Sequence, residues 1–86
     1  MVDYYMIQIQ TMMGERREIN VSSEMTVADL KYLIVLQLDI GVFPDDQILM
    51  FNSSELKEDE KTLGEYGIEE LDTLMLMVRI ESGLMW

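Results

Sequence analysis

The segment Leu74-Met75-Leu76-Met77-Val78-Arg79-Ile80 constrains this chain more than any other, because it is apolar on both alternating faces for most of its length. Successive side chains of a strand point to opposite faces. Leu74, Leu76, Val78 and Ile80 therefore share one side, and Met75, Met77 and Arg79 share the other. Such a strand belongs in the middle of a sheet, ordinarily with helices over both faces. The chain offers one good helix. Thr26 stands before Val27, Leu30 and Ile34, spaced at i, i+3 and i+7, and Asp29 follows the threonine by three residues as in an acidic capping box. The stretch from Val27 to Leu38 holds no turn residue, and Gly41 and Pro44 beyond it supply the stop. A single helix covers one face of a sheet, so the face that carries Met75 and Met77 is expected to stay open.

The other segments alternate with period two. Tyr5, Ile7 and Ile9 share one parity, Gly14 suits the positive φ of a hairpin turn, and Ile19 and Val21 return inward. Gln47 to Phe51 reads as a short strand with Leu49 inward and Ile48 and Met50 outward, followed by turn residues Asn52-Ser53-Ser54. Thr62 to Ile68 has the spacing of a short helical turn ended by Gly67. The order predicts an α+β domain with one helix across one face of a single mixed sheet. Eighty-six residues make one domain, with a core over about 5–81 and an apolar tail over 82–86.

Composition narrows the function. The chain has no cysteine and no histidine, which removes thiolate chemistry, disulfides and the commonest general base and metal ligand. Seventeen acids against six bases leave a net charge of -11, and ten of those acids lie between Asp45 and Asp72. Nucleic acid and anionic membrane surfaces reward clustered Lys and Arg, so neither is expected as a partner, and partners with basic surfaces are favoured. Asp45-Asp46 and Glu58-Asp59-Glu60 lack the spacing and glycine of a calcium loop, and every acidic cluster falls in a predicted loop or turn, so no metal, cofactor or enzymatic activity is expected. No segment approaches the roughly 18 apolar residues of a membrane span. No basic region precedes an apolar stretch near Met1, and the expected location is cytoplasmic, nuclear or both.

Nine methionines are many for this length. Met50, Met75 and Met77 all point outward in the strand pattern, and Met12 in the first turn is expected to join them, with Ile48 alongside. Methionine suits a binding surface because its thioether is flexible and polarizable and repacks against different partners.

Several stretches together resemble ubiquitin and the ubiquitin-like domains over about Met6 to Gly83. They are the hairpin with Gly14, Thr-Val-Ala-Asp-Leu-Lys at Thr26 to Lys31, Pro-Asp-Asp-Gln at Pro44 to Gln47, Lys-Thr-Leu-Gly-Glu-Tyr-Gly-Ile at Lys61 to Ile68, and Asp72 to Arg79. The resemblance implies the ubiquitin-like β-grasp fold. It also implies that Met12, Met50, Met75 and Met77 stand at the four positions of ubiquitin's main hydrophobic recognition patch. The departures carry equal weight. Ser82-Gly83 stands in place of the terminal diglycine, followed by Leu84-Met85-Trp86, and Ser54 and Glu70 replace the two best known chain-forming lysines while Lys31 is kept. Extra residues lengthen the loops near Leu36 to Ile40 and Glu58 to Glu60. The run from Leu56 to Asp72 looks like the N-terminal ubiquitin-like domain of DNA-damage-inducible proteasome shuttles, although no Asp-Thr/Ser-Gly triplet of their protease domain occurs here.

Three functions follow as expectations. In the first, the chain is a non-covalent module of the ubiquitin–proteasome system that docks onto a proteasomal receptor subunit or a ubiquitin-binding domain through Met12, Ile48, Met50, Met75 and Met77, with Arg79 at the rim. In the second, Glu58, Asp59, Glu60, Glu69 and Glu70 form an acidic surface that binds ubiquitin itself; the plainer reading of those residues is a solvated face that maintains solubility. In the third, the chain is a modifier trimmed after Gly83. Trp86 and the apolar tail receive no role, and the oligomeric state stays open.

Overall fold

A computed structural model describes residues 3–38 and 41–79. Two strands open it, β1 (Tyr4–Thr11) and β2 (Arg16–Ser22), joined by a tight turn in which Gly14 has φ +87°. Helix α1 (Val27–Leu38) follows, then β3 (Gln47–Phe51), β4 (Ser54–Glu55) and β5 (Thr73–Val78). The strands form one sheet in the order β2-β1-β5-β3-β4, with β5 parallel to β1 and the other pairings antiparallel. The strand that is apolar on both sides is thus the central one, and the mixed sheet with a single main helix is the β-grasp arrangement.

Helix α1 starts where its capping residues require. The Thr26 amide donates to Asp29 Oδ2 at 3.3 Å, and the Asp29 amide donates to Thr26 Oγ1 at 3.1 Å, so two otherwise orphaned donors are satisfied reciprocally. Val27, Leu30, Ile34 and Leu38 bury one stripe of the helix against Ile7, Ile9, Leu49, Leu74 and Leu76 of the sheet. All the core residues of the sheet come from one parity of each strand, which leaves the opposite parity free of helix cover.

Thr62 to Ile68 makes one turn, in which the Tyr66 amide reaches the Thr62 carbonyl at 3.3 Å, and it stops at Gly67, φ +78°, where the Gly67 and Ile68 amides reach back to the Gly64 and Leu63 carbonyls at 3.0 and 3.1 Å. Three details depart from the sequence reading. A 3₁₀ turn over Pro44–Asp46 and the two-residue β4 went unread, because each is too short to carry a periodic signal. Ser54 belongs to β4, so the turn before it is Asn52-Ser53, both residues left-handed at φ 53° and 68°. Lys31, on the core side of the helix, is buried; its ammonium lies 3.0 Å from Asp59 and its side chain is 11% exposed. The expectations for Ile80, the tail over 82–86 and the loop residues Asp39 and Ile40 lie outside the described residues.

Candidate protein interface

The uncovered face of the sheet is organised in rows. Antiparallel pairing sets Met50 opposite Met75 and Ile48 opposite Met77 across β3 and β5. Parallel pairing sets Gln10 beside Met75, β2 adds Arg16 beside Gln10, and β4 adds Glu55 beside Met50. One row therefore crosses all five strands as Arg16, Gln10, Met75, Met50, Glu55. Directly opposed residues share a face, so the two methionines form an apolar centre with polar residues at both ends. The row through Gln8 is polar throughout, as Glu18, Gln8 and Thr73. The apolar area is thereby displaced toward the end of the sheet where Ile48 and Met77 lie.

The exposure of these side chains matches that layout. Met75 is 39% exposed, while Ile48, Met50 and Met77 are half-buried by their neighbours. Met12, in the turn after β1, is 44% exposed. Met12 also borders a cavity of about 140 Å³ on the core side of the same edge, lined with Met13, Val42, Leu76 and Val78. Arg79 is exposed at the end of β5, where its amide donates to the Asp46 carbonyl at 2.7 Å. Its guanidinium lies 3.9 Å from Glu55, a solvent-exposed pair worth little in stability and readily exchanged for a partner's carboxylate. The register thus sets Ile48, Met50, Met75 and Met77 on one outward face with Arg79 beyond them and with Gln10, Arg16 and Glu55 as flanks, whereas Met12, expected from the sequence to join them, lies in the turn after β1 and has no place in these rows. Only Glu55 was beyond reach, because nothing local in Ser54-Glu55 marks a strand.

The acidic residues border two depressions. Glu58, Asp59 and Glu60 line one shallow depression with Lys61 and Glu65. Glu69 and Glu70 line another, with Tyr4, Tyr5 and Ser23. Asp59 is engaged by Lys31, and Glu58 lies 3.7 Å from Lys61. Glu65 accepts from the Thr62 amide at 2.9 Å and from its hydroxyl at 3.2 Å. These two bonds, the backbone one foremost, hold the Glu65 carboxyl below its ordinary pKa, with the nearby Lys61 charge a smaller contribution. Near the other depression, burial raises the Tyr5 phenol, assisted by the charges of Asp72 and Glu69, while its hydroxyl donates to the Ile68 carbonyl at 2.8 Å. Among the described residues no group of three or more acidic side chains is placed to hold a metal ion.

The family model for the ubiquitin family matches residues 7–81. This chain belongs to the ubiquitin family. It is 29% identical over 77 residues to a probable ubiquitin receptor RAD23 of Oryza sativa subsp. japonica, a match that takes in 90% of this chain and 20% of that relative. The chain therefore spans about a fifth of the length of that relative. Lys31, the lysine that the resemblance to ubiquitin sets at a chain-forming position, is buried with its ammonium 3.0 Å from Asp59. Gly83, where a conjugating member of the family would end, lies outside the described residues.

Proposed function

We propose that this ubiquitin-family domain is a non-covalent docking module of the ubiquitin–proteasome system, and that its contact surface is the methionine-centred face. The observation that carries the reading is the row from Arg16 to Glu55 with Met75 and Met50 at its centre, extended by the Ile48–Met77 pair. An apolar centre with a polar rim is the anatomy of a protein interface. An exposed apolar face on a small domain otherwise costs solubility with no return. Likeness to a protein named as a probable ubiquitin receptor supports a place in ubiquitin-dependent traffic. The partner is a proteasomal receptor subunit or a ubiquitin-binding domain. The module acts without catalysis, in the cytoplasm or nucleus where such partners are.

The test is a titration of the 86-residue protein against recombinant proteasomal receptor fragments and ubiquitin-binding domains, followed by backbone amide resonances. Shifts confined to Met12, Ile48, Met50, Met75, Met77 and Arg79 support the proposal. Shifts centred on Glu58 to Glu60, or on Glu69 and Glu70, would move the interface to the acidic residues. A mature protein that ends at Gly83 in its native cell, shown by intact mass, would replace docking with conjugation.

A further inference from the structure

We propose that the outward sheet face pairs with a second copy of this chain, about a twofold axis that runs along β5. The inference rests on the strand register and its charges, not on the docking role proposed for the same face. The row Arg16, Gln10, Met75, Met50, Glu55 has β5 at its middle, with a cation on one edge strand and an anion on the other. Half a turn about β5 therefore lays the row on its own reverse. Met75 and Met77, both on β5, then meet their own counterparts, Gln10 faces the second copy's Met50, and Arg16 faces its Glu55. Symmetry makes each of these last two contacts twice. Two twisted sheets pack aligned in this way, about 10 Å apart.

Charge selects both the axis and the occupant. A twofold axis along the row itself would set Arg16 against Arg16 and Glu55 against Glu55, which is repulsive at both edges. Among the described residues the outward face carries Arg16 and Arg79 against Glu18 and Glu55, so it is neutral in a chain of net charge -11. Glu58, Glu60, Glu69 and Glu70 border the two depressions and belong to none of these rows. Two copies thus meet where their mutual repulsion is least. Area sets the strength. Five strands about 4.8 Å apart and three outward rows about 7 Å apart give a contact of roughly 300–500 Å² per copy, against about 800 Å² per partner in a stable complex. The pair is therefore transient, half formed only at about 0.1–1 mM of chain, and it yields to any tighter ligand of the face.

The experiment is sedimentation equilibrium of the 86-residue protein from about 10 μM to 1 mM, with amide resonances followed over the same range. The mass should rise from monomer toward dimer, and the shifts should centre on Gln10, Ile48, Met50, Met75 and Met77. Arg16→Glu and Glu55→Arg, each shown by circular dichroism to be folded, should each weaken self-association at least about tenfold, because each creates two like-charge contacts. An equimolar mixture of the two variants should associate at least as tightly as wild type, since every edge contact between unlike copies again joins opposite charges. A wild-type protein that stays monomeric at about 1 mM, shifts centred on α1 or on the acidic depressions, or a mixture that associates no better than either variant alone would overturn the proposal and leave the docking reading as it stands. Receptor fragments that fail to bind a self-associating protein would overturn the docking reading alone.

Discussion

Leu49 and Met50 are neighbours on β3 that serve opposite faces of the sheet: Leu49 is fully buried beneath α1, and Met50 stands outward across from Met75. Period two at a single strand thus separates what holds the domain together from what it offers to others. Leu49→Ala removes buried methyl groups from a close-packed core and should cost about 2–5 kcal/mol. Met50→Ala, outside that core, should cost under about 1 kcal/mol. Urea unfolding of both variants measures the difference, and comparable losses would mean that the outer face is part of the core.

Lys31 and Asp59 pin α1 to the acid-rich loop 28 residues away. Asp59→Ala leaves the buried ammonium without its carboxylate. Because Asp59 itself is half exposed, the expected loss is about 1–2 kcal/mol, below the 3–5 kcal/mol of a fully buried pair. Lys31→Met, which removes the charge together with the need for a partner, should cost less than Asp59→Ala, and denaturant midpoints of the two variants test that order.

Much of this was readable beforehand, for physical reasons that particular residues illustrate. The capping box at Thr26 and Asp29, the turn at Gly14 and the alternation through Leu74 to Val78 are local signals, and each appears where its chemistry requires. The outward methionines were readable because one helix leaves one face of a sheet bare. The burial of Lys31 was not readable, since its cause is a loop distant in sequence, and neither was the flank at Glu55, whose strand is two residues long. The cavity beside Met12 depends on Val42, which the folded chain brings beside Leu76 and Val78.

The β3–β4 turn places Ser53 at φ 68°, a conformation that costs a residue with a Cβ about 1 kcal/mol or more. Ser53→Gly removes that strain and adds some entropy to the unfolded chain. The expected net gain is about 0.5 kcal/mol, read as a raised thermal midpoint; a lowered midpoint would show that the serine side chain contributes what the backbone loses.

Glu65 makes stability depend on acid in a definite direction. Its folded pKa is depressed by its bonds to Thr62, so its contribution is present in full above the unfolded carboxylate value and is lost as pH falls through the lower folded one. Glu65→Gln should flatten the acid limb of the stability profile and leave the neutral region nearly unchanged apart from the constant loss of the charged bond. An unaltered acid limb in thermal melts across that range would assign the dependence to other carboxylates.

The most direct test of the account is the affinity of Met50→Asp combined with Met77→Asp for a receptor fragment that the wild type binds. Both side chains lie outside the core, so the variant should unfold within about 4–8 °C of wild type. Two carboxylates at the centre of a desolvated contact should weaken binding at least about a hundredfold. A folded variant that binds as tightly as wild type would contradict the methionine-centred interface.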